Sequence, residues 1–443
     1  MKKIYIVLMS VLLSTLSFGQ SKSEKIDEFL NLLNDNNQFM GVVSIYENGA
    51  LKYSHSAGFL DTENGTSLNT DTKFRIGSIS KMYTSVLVFK AIESGKLKLD
   101  TKLSKYFPQI KNAKQITISQ LLQHQSGIPN FTNSQVYLSK MYTGMTEDEV
   151  IDLILSMPVE LEPGTAFSYS NSNFYLLSLI LEKVTKKSFS SLLKEQITQP
   201  LDLENTYYGQ KTRPEQNEAY SFTIDGTTGN WQKSGETEMS IPKGAGAIVS
   251  NQSDLNAFIQ ALFEGKLVSQ NSLEQMMSLK EGFGRGMMVL PFYERQAYGH
   301  LGSIDGFESC LVYFPEDKIS LVILANAIGS YSFNDVGLGV LSFWFDKDFD
   351  LPNFSQKPVT LSQTELKAFE GTFSNSTLGL NIKLWEQDGA LMAQADGQSG
   401  FALESFEGDV FKFAPAGIIM EFNQERTEFT LIQGGGRYIF KKN

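Results

Sequence analysis

After an apolar N-terminal stretch, the chain shows one helical segment followed by two alternating ones. Residues 23–34 carry apolar side chains at helical spacing. Between residues 41 and 61, apolar and polar side chains alternate on both sides of Asn48-Gly49, a dipeptide typical of hairpin turns. The pattern predicts a helix and then a β-hairpin.

Helical periodicity dominates the middle of the chain. After Ser78, the apolar residues Met82, Val86 and Phe89 recur every three to four positions, which predicts a helix. Further helices are predicted over residues 118–127, 174–185 and 252–265, and strands over residues 284–290, 296–302, 306–314 and 318–326. Strands at both ends with helices between them predict an α+β fold whose first and last strands pair.

The pattern changes at residues 351–362, which we assign as a linker. From 363 to 443 the chain shows a short helix and then only short alternating strands, with Asp388-Gly389 as a hairpin signal. These features predict a separate β module of about eighty residues, a small barrel or sandwich. It contains no His or Cys and no evident acid–base pair. A stabilising or docking role is therefore favoured over a second catalytic site.

The N-terminus has the pattern of a secretory signal. Lys2 and Lys3 precede a mostly apolar stretch, residues 4–18. Ser17 and Gly19 are then the small residues at −3 and −1 that a cleavage between Gly19 and Gln20 requires. The apolar stretch is shorter than the roughly 20 residues that a spanning helix needs. We predict that residues 1–19 are removed and that the protein is exported, periplasmic or secreted, with no stable membrane span. An uncleaved anchor is the alternative.

Composition excludes several classes of function. The formal net charge of −11 argues against nucleic-acid binding, which requires a basic face. The single cysteine, Cys310, cannot form an internal disulfide and lies in an apolar segment typical of a core. The three histidines are scattered along the chain. We therefore predict no metal site and no cofactor, and we expect a small-molecule or peptide partner.

A serine three residues before a lysine occurs at three places, and their surroundings differ. Ser191 and Lys194 lie within a continuous helical pattern, and Ser240 and Lys243 are separated by a proline, which disfavours a helix. The third serine, Ser78, follows a glycine and begins a long apolar helix, where free N–H groups stabilise an oxyanion. The spacing is the same in all three, and only the surroundings of Ser78 are those that an activated nucleophile needs.

Lys81 shares one helix face with Ser78 and could act as its base if it is partly buried. The same residues also fit a purely structural interpretation, in which Ser78 caps a helix and Lys81 is a solvated surface charge. This segment alone does not decide between the catalytic and the structural interpretation.

Two further segments carry candidate chemistry. Tyr169-Ser170-Asn171 lies on a polar loop before a helix, where the hydroxyl could shuttle a proton and the amide could bind a carbonyl. In "YGHLGSIDGF", glycines including Gly302 let a substrate backbone lie close to a strand edge. His300 offers a donor or a positive charge, and the N–H of Ser303 could complete an oxyanion hole with that of Ser78.

Together these segments resemble the serine β-lactamase and penicillin-binding-protein superfamily, and most closely its class C β-lactamase, D-Ala-D-Ala carboxypeptidase and esterase branch. Ser78-Ile79-Ser80-Lys81 is similar to its Ser-x-x-Lys motif, Tyr169-Ser170-Asn171 to its Tyr-x-Asn motif, and His300-Leu301-Gly302 to its Lys/His-Thr/Ser-Gly motif. The resemblance implies a β-lactamase/transpeptidase-like antiparallel sheet, flanked by helices, with a helical subdomain, over residues 20–350. The tail, residues 363–443, resembles a lipocalin-like barrel.

The resemblance also implies roles for individual residues. Ser78 would attack an acyl carbonyl, and either Lys81 or Tyr169 would take its proton. Asn171 would orient the acyl side, and the N–H groups of Ser78 and Ser303 would hold the oxyanion. His300 and Gly302 would help bind the substrate, and water would release the acyl group.

One position departs from the motif. Leu301 stands where a Thr or Ser hydroxyl normally helps bind a carboxylate, and losing a hydrogen bond to a charged group costs about 1.5–3 kcal/mol. The departure favours an esterase or carboxypeptidase-type serine hydrolase over an efficient β-lactamase. The alternatives are a non-catalytic peptide-binding or sensor protein on the same fold, and an acyl transferase or transpeptidase.

Overall fold

The computed structural model describes residues 20–413, 416–434 and 436–443, so the predicted signal peptide lies outside the described residues. The α-helices of these residues are α1 (Lys22–Asp35), α2 (Ser80–Glu93), α3 (Ile118–Leu122), α4 (Gln135–Lys140), α5 (Glu147–Ser156), α6 (Asn171–Thr185), α7 (Phe189–Leu193), α8 (Gln252–Phe263), α9 (Gln270–Met277), α10 (Phe333–Trp344) and α11 (Gln363–Lys367).

The first thirteen strands belong to the larger part of the chain. They are β1 (Phe39–Glu47), β2 (Ala50–Ala57), β3 (Phe59–Asp61), β4 (Thr66–Ser67), β5 (Phe74–Arg75), β6 (Tyr207–Tyr208), β7 (Phe222–Ile224), β8 (Trp231–Lys233), β9 (Ile248–Ser250), β10 (Met288–Phe292), β11 (Arg295–Ile304), β12 (Phe307–Phe314) and β13 (Ile319–Ile328).

A central sheet joins the first and last strands of this part. Its main path runs β10–β11–β12–β13–β1–β2. β1 and β13 pair antiparallel, with Val43 opposite Ile323. The predicted pairing of the first and last strands is therefore confirmed, and the sheet brings β11 next to the segment that contains Ser78.

Each face of the sheet packs against its own set of helices. Along β13, Val322 and Leu324 belong to the front core, which includes the buried faces of α2, α6 and α8, whereas Leu321 and Ile323 belong to the back core with α1 and α10. The alternation follows from the two-residue period of a strand. Cys310 lies in the back core, as its apolar surroundings predict.

Two helix boundaries near the site differ from the prediction. The helix predicted over residues 118–127 ends at Leu122, because His124 has a left-handed backbone with φ of 54°. The helix predicted over residues 174–185 begins at Asn171, whose N–H donates to Asn130 Oδ1 at 3.0 Å. An external side chain thus satisfies a free N–H at the start of α6.

The C-terminal strands close into a barrel that side chains fill. Buried aromatic rings at Phe373, Phe411, Phe429 and Phe440 pack in its core. The barrel strands are β14 (Gly371–Asn375), β15 (Leu380–Gln387), β16 (Ala390–Ala395), β17 (Phe401–Phe406), β18 (Val410–Phe413), β19 (Ile418–Phe422), β20 (Glu428–Gln433) and β21 (Gly436–Lys442). The barrel alternative of the prediction is confirmed, whereas the boundaries of the linker at 351–362 stay a prediction. Among the helices of the described residues, none is both long and apolar enough to cross a membrane.

Candidate active site

Ser78 lies in a single 3₁₀ turn, Gly77–Ile79, which leads directly into α2. Gly77 has φ of 48°, and a Cβ at this position would lie 2.8 Å from the backbone nitrogen of Ser303. A glycine is needed both for this conformation and for this approach. The turn places Ser78 in the wall of a cleft of about 160 Å³.

Lys81 lies in the first turn of α2 with its side chain fully buried. Its Nζ lies 2.8 Å from Ser78 Oγ, 2.7 Å from Asn171 Oδ1 and 2.8 Å from the carbonyl oxygen of Ala245. None of these partners is a carboxylate. Burial therefore lowers the pKa of Lys81 well below its ordinary value, which favours the neutral amine.

The partners of Lys81 determine where a neutral amine would direct its lone pair. Asn171 Oδ1 and the Ala245 carbonyl oxygen only accept hydrogen bonds, and a neutral amine has two hydrogens to donate. With both hydrogens used there, the lone pair faces Ser78 Oγ. The arrangement can accept the hydroxyl proton of Ser78.

Tyr169 approaches Ser78 from another side. Its Oη donates to Ser78 Oγ at 2.9 Å, and burial raises the pKa of Tyr169 to about 12. Its ring stacks on His124 with the centroids 4.3 Å apart, and His124 Nδ1 accepts the N–H of Ser170 at 3.1 Å. Burial lowers the pKa of His124 well below its usual range. His124 is thus a neutral group that supports the Tyr169 loop.

Asn171 is held by two residues that the sequence analysis did not single out. Its Nδ2 donates to Thr132 Oγ1 at 3.1 Å, and Thr132 Oγ1 in turn donates to Asn130 Oδ1 at 3.0 Å. These two hydrogen bonds orient the Asn171 amide so that its Oδ1 faces Lys81. One Nδ2 hydrogen stays free for a ligand, because Nδ2 has two.

The N–H of Ser303 points toward the 3₁₀ turn. In the β11–β12 ladder, Ile304 is opposite Phe307 and Ser303 is opposite Glu308. The pair that closes a two-residue hairpin is hydrogen-bonded, and bonded and non-bonded pairs then alternate. The N–H of Ser303 is therefore directed away from β12. Ser303 and Ser78 both line the cleft.

Gly302 allows β11 to lie against the same turn. A Cβ at this position would be 2.1 Å from the carbonyl oxygen of Ile76 and 2.4 Å from Ser309 Oγ. Ser309 Oγ donates to that carbonyl oxygen at 2.9 Å. Gly302 thus serves the close approach of two segments.

His300 does not supply the positive charge that the sequence analysis considered. Its side chain is buried, its Nδ1 contacts the carbonyl oxygen of Leu301, and burial lowers the pKa of His300 to about 3. The ring is neutral near pH 7 because no carboxylate offsets its desolvation. Leu301 packs against the back core.

The other Ser-x-x-Lys matches lie in ordinary surroundings. Ser191 lies in α7, where its Oγ is 2.8 Å from Ser188 Oγ. Lys243 pairs with Glu147 and with Glu182. Of the three matches, only the one at Ser78 places the lysine amine against the serine hydroxyl.

The comparisons with known proteins agree with this geometry. A family model described as Beta-lactamase matches residues 26–336. The teichoic acid D-alanine hydrolase of Staphylococcus aureus (strain MRSA252) is 28% identical over 317 residues, which are 70% of this chain and 75% of that protein.

Solved structures extend the likeness. The crystal structure of D-amino acid amidase from Ochrobactrum anthropi SV3 complexed with D-phenylalanine is similar with a TM-score of 0.67 and 25% identity, over 73% of this chain and 99% of that chain. The octameric penicillin-binding protein homologue from Pyrococcus abyssi has a TM-score of 0.66 and 22% identity, over 94% of this chain and 99% of that chain. The second likeness concerns the fold alone and includes the C-terminal barrel.

Proposed function

Because the chain belongs to the Beta-lactamase family, we propose that it hydrolyses an ester, an amide or a D-amino-acid peptide through an acyl-enzyme on Ser78. One observation carries this proposal. Ser78 Oγ lies 2.8 Å from a buried, uncompensated lysine amine and 2.9 Å from a tyrosine hydroxyl. A serine hydroxyl needs such a neighbour to become a nucleophile.

In the acylation step, Ser78 Oγ forms a bond to the carbonyl carbon and its proton passes to Lys81 Nζ. Lys81 is the base in this proposal because its lone pair faces Ser78, whereas Tyr169, with a pKa of about 12, keeps its proton. The bond between the carbonyl carbon and the leaving group then breaks as Tyr169 gives that group a proton, and the proton that Lys81 Nζ accepted restores the tyrosine hydroxyl. The N–H groups of Ser78 and Ser303 stabilise the oxyanion.

Deacylation uses the same groups in the reverse direction. Water attacks the acyl carbonyl and loses a proton to the base, and the bond to Ser78 Oγ breaks as that oxygen regains a proton. The free Nδ2 hydrogen of Asn171 would bind a carbonyl on the acyl side.

The charge of the cleft favours substrates without a carboxylate near the scissile bond. Among the described residues that line it, the one with a formal charge at pH 7 is Asp305, whose side chain is fully buried against Arg75. His300 does not line the cleft and is neutral, and the Leu301 side chain packs against the back core. An anionic group entering the cleft would find no cation on its walls.

These features and the relatives narrow the proposed substrates to D-amino-acid esters and amides. The similar proteins include one named a D-alanine hydrolase of teichoic acid and one named a D-amino acid amidase. Export to the periplasm or the medium is also proposed, from the pattern of residues 1–19. The barrel, which side chains fill, would serve stability or docking.

A substrate panel tests this proposal. Hydrolysis of D-alanine methyl ester and D-phenylalanine amide would be compared with that of an acylated D-Ala-D-Ala peptide with a free carboxylate, of penicillin G and of L-alanine methyl ester. We expect the two D-amino-acid derivatives without a carboxylate to be preferred at least tenfold in kcat/KM, since about 1.4 kcal/mol is a factor of ten. A higher kcat/KM for the D-Ala-D-Ala peptide or for penicillin G would contradict the proposed class of substrate.

A further inference from the structure

Arg75 connects four segments around the nucleophile although it does not line the cleft. It ends β5, three residues before Ser78, and its side chain is 3% exposed. Nη1 donates to the carbonyl oxygen of Thr237 at 2.8 Å and to Asp305 Oδ2 at 3.0 Å. Nη2 donates to the carbonyl oxygen of Gln210 at 3.0 Å and to Glu236 Oε2 at 2.9 Å.

Asp305 is the other half of this connection. It lies in the turn between β11 and β12, two residues after Ser303, and its side chain is fully buried. Its Oδ1 accepts the N–H of Thr237 at 2.9 Å and the Thr237 hydroxyl at 2.6 Å, while Oδ2 faces Arg75. Both oxygens therefore have partners, and the carboxylate holds the end of β11 in one position.

Each residue of the ion pair is thus a close chain neighbour of one oxyanion N–H. Arg75 precedes Ser78 by three residues, and Asp305 follows Ser303 by two. We propose that the Arg75–Asp305 ion pair is a positioning device that sets the separation of the Ser78 and Ser303 N–H groups. The inference rests on the proposed function, because it concerns the oxyanion of that reaction.

The contact between the Ser78 turn and the end of β11 has few side chains that could fix the distance between the two segments. Gly77 faces the backbone of Ser303, and Gly302 faces the carbonyl oxygen of Ile76, so no side chains interlock at this contact. Within the described residues, the hydrogen bond from Ser309 Oγ to Ile76 is the other polar side-chain tie between these segments, and the buried rings of Phe74 and Phe307 add an edge-to-face contact with their centroids 6.3 Å apart. The separation of the donors therefore depends on few groups.

Two single variants loosen the ion pair in different ways. Asp305→Asn keeps the shape but places an amide donor or a neutral oxygen against the guanidinium. Arg75→Lys keeps the charge but cannot reach four acceptors at once, because an ammonium is a point donor and a guanidinium is a fork. The double variant tests whether the two act as a unit.

Glu218→Gln is the matched control. Glu218 is a buried carboxylate that accepts from Arg213 Nε at 3.1 Å and Nη2 at 2.8 Å. Its other recorded contacts are with Tyr207 Oη, the Arg213 N–H and, through the backbone, Lys73, and none of these residues belongs to the Ser78 turn or to the end of β11. Ser309→Ala provides a milder variant of the contact itself, which remains useful if the ion-pair variants do not fold.

The readouts separate positioning from stability. The acylation rate is measured with p-nitrophenyl acetate, the inhibition constant with phenylboronic acid, which forms a tetrahedral adduct on the serine, and the Tm of every variant is recorded. Removing one oxyanion donor typically lowers kcat by about 10²–10³, so misplacing one should lower acylation by about 10–100-fold. We expect this loss in Asp305→Asn and Arg75→Lys, with KM changed by less than about threefold, a parallel loss of boronate affinity and no further loss in the double variant.

The outcomes distinguish this inference from the proposed function. Ser309→Ala should show a loss of several-fold in the same two quantities, and Glu218→Gln should lower Tm alone. If the ion-pair variants, or Ser309→Ala where those do not fold, acylate as fast as Glu218→Gln, the inference is overturned while the proposed function stands. If wild type and Ser78→Ala react equally with the ester, the proposed function itself has failed.

Discussion

Lys81 Nζ and Asn171 Oδ1 lie 2.7 Å apart, the shortest of the three contacts of the lysine amine. The amide oxygen takes one hydrogen of the amine without adding a negative charge. Asn171 can therefore orient Lys81 and still leave its pKa low. The base and its orienting group come from α2 and α6, which pack against each other in the front core.

Asn171→Asp should convert this orienting group into one that charges the lysine. An opposite charge in contact favours the protonated amine and typically raises a lysine pKa by about 1–3 units. Because the reaction needs the neutral amine, the acidic limb of the kcat/KM profile should move to higher pH by about that amount. Thr132→Val removes the hydrogen bond that orients the Asn171 amide but adds no charge. This control should lower kcat/KM without moving the acidic limb of its pH profile. An unmoved limb in Asn171→Asp would contradict the assignment of Lys81 as the base.

Lys81→Met should remove the base with little change in shape. General acid–base catalysis contributes about 10²–10⁴ in rate, so the acylation rate should fall within that range. Met fills the buried space of the amine, but Asn171 Oδ1 and the Ala245 carbonyl oxygen lose their donor, so a modest fall in Tm is expected with the fold retained. The check is stopped-flow acylation beside circular dichroism, and a variant that keeps more than a tenth of the rate would be inconsistent with the mechanism.

Tyr169→Phe should slow proton delivery to the leaving group. The expected loss is about 10²-fold for an amide, and less for p-nitrophenyl acetate, whose leaving group needs no proton. Since the pKa of Tyr169 is about 12, wild type should show no alkaline limb from this residue below pH 10. Equal losses on the amide and the activated ester would argue against a role as acid.

His300 should make the protein less stable in acid. Its pKa is about 3 when folded and about 6.5 when unfolded, so between these values the unfolded chain binds the extra proton. Stability is thus full above about pH 6.5 and falls toward pH 3, by about 1.4 kcal/mol per pH unit at most for this one group. His300→Gln should show a shallower slope in urea unfolding at pH 4–6.5. Parallel slopes in the two proteins would disprove this view of His300.

The sequence predicted those features that depend on local pattern. The strands β1 and β13, the turn before α2 and the late change to short strands each follow from neighbouring residues. The choice of Ser78 among three matches followed from Gly77 before it and from the apolar helix after it. Local physics was sufficient because each of these features involves residues close in the chain.

Other features depend on distant partners. Arg75 and Asp305 are 230 positions apart, and nothing near either residue indicates the other. The neutral state of His300 follows from burial that the fold imposes. The early end of α3 at Leu122 depends on the left-handed backbone of His124, whose ring lies under Tyr169.

The most direct test of the central claim is intact-mass spectrometry of the purified protein after exposure to a fluorophosphonate probe. Wild type should gain the mass of one phosphonyl adduct, because Ser78 is activated by Lys81 and faces an oxyanion hole. Ser78→Ala should gain none. Absence of an adduct on wild type, or equal labelling of Ser78→Ala, would contradict a Ser78 acyl-enzyme.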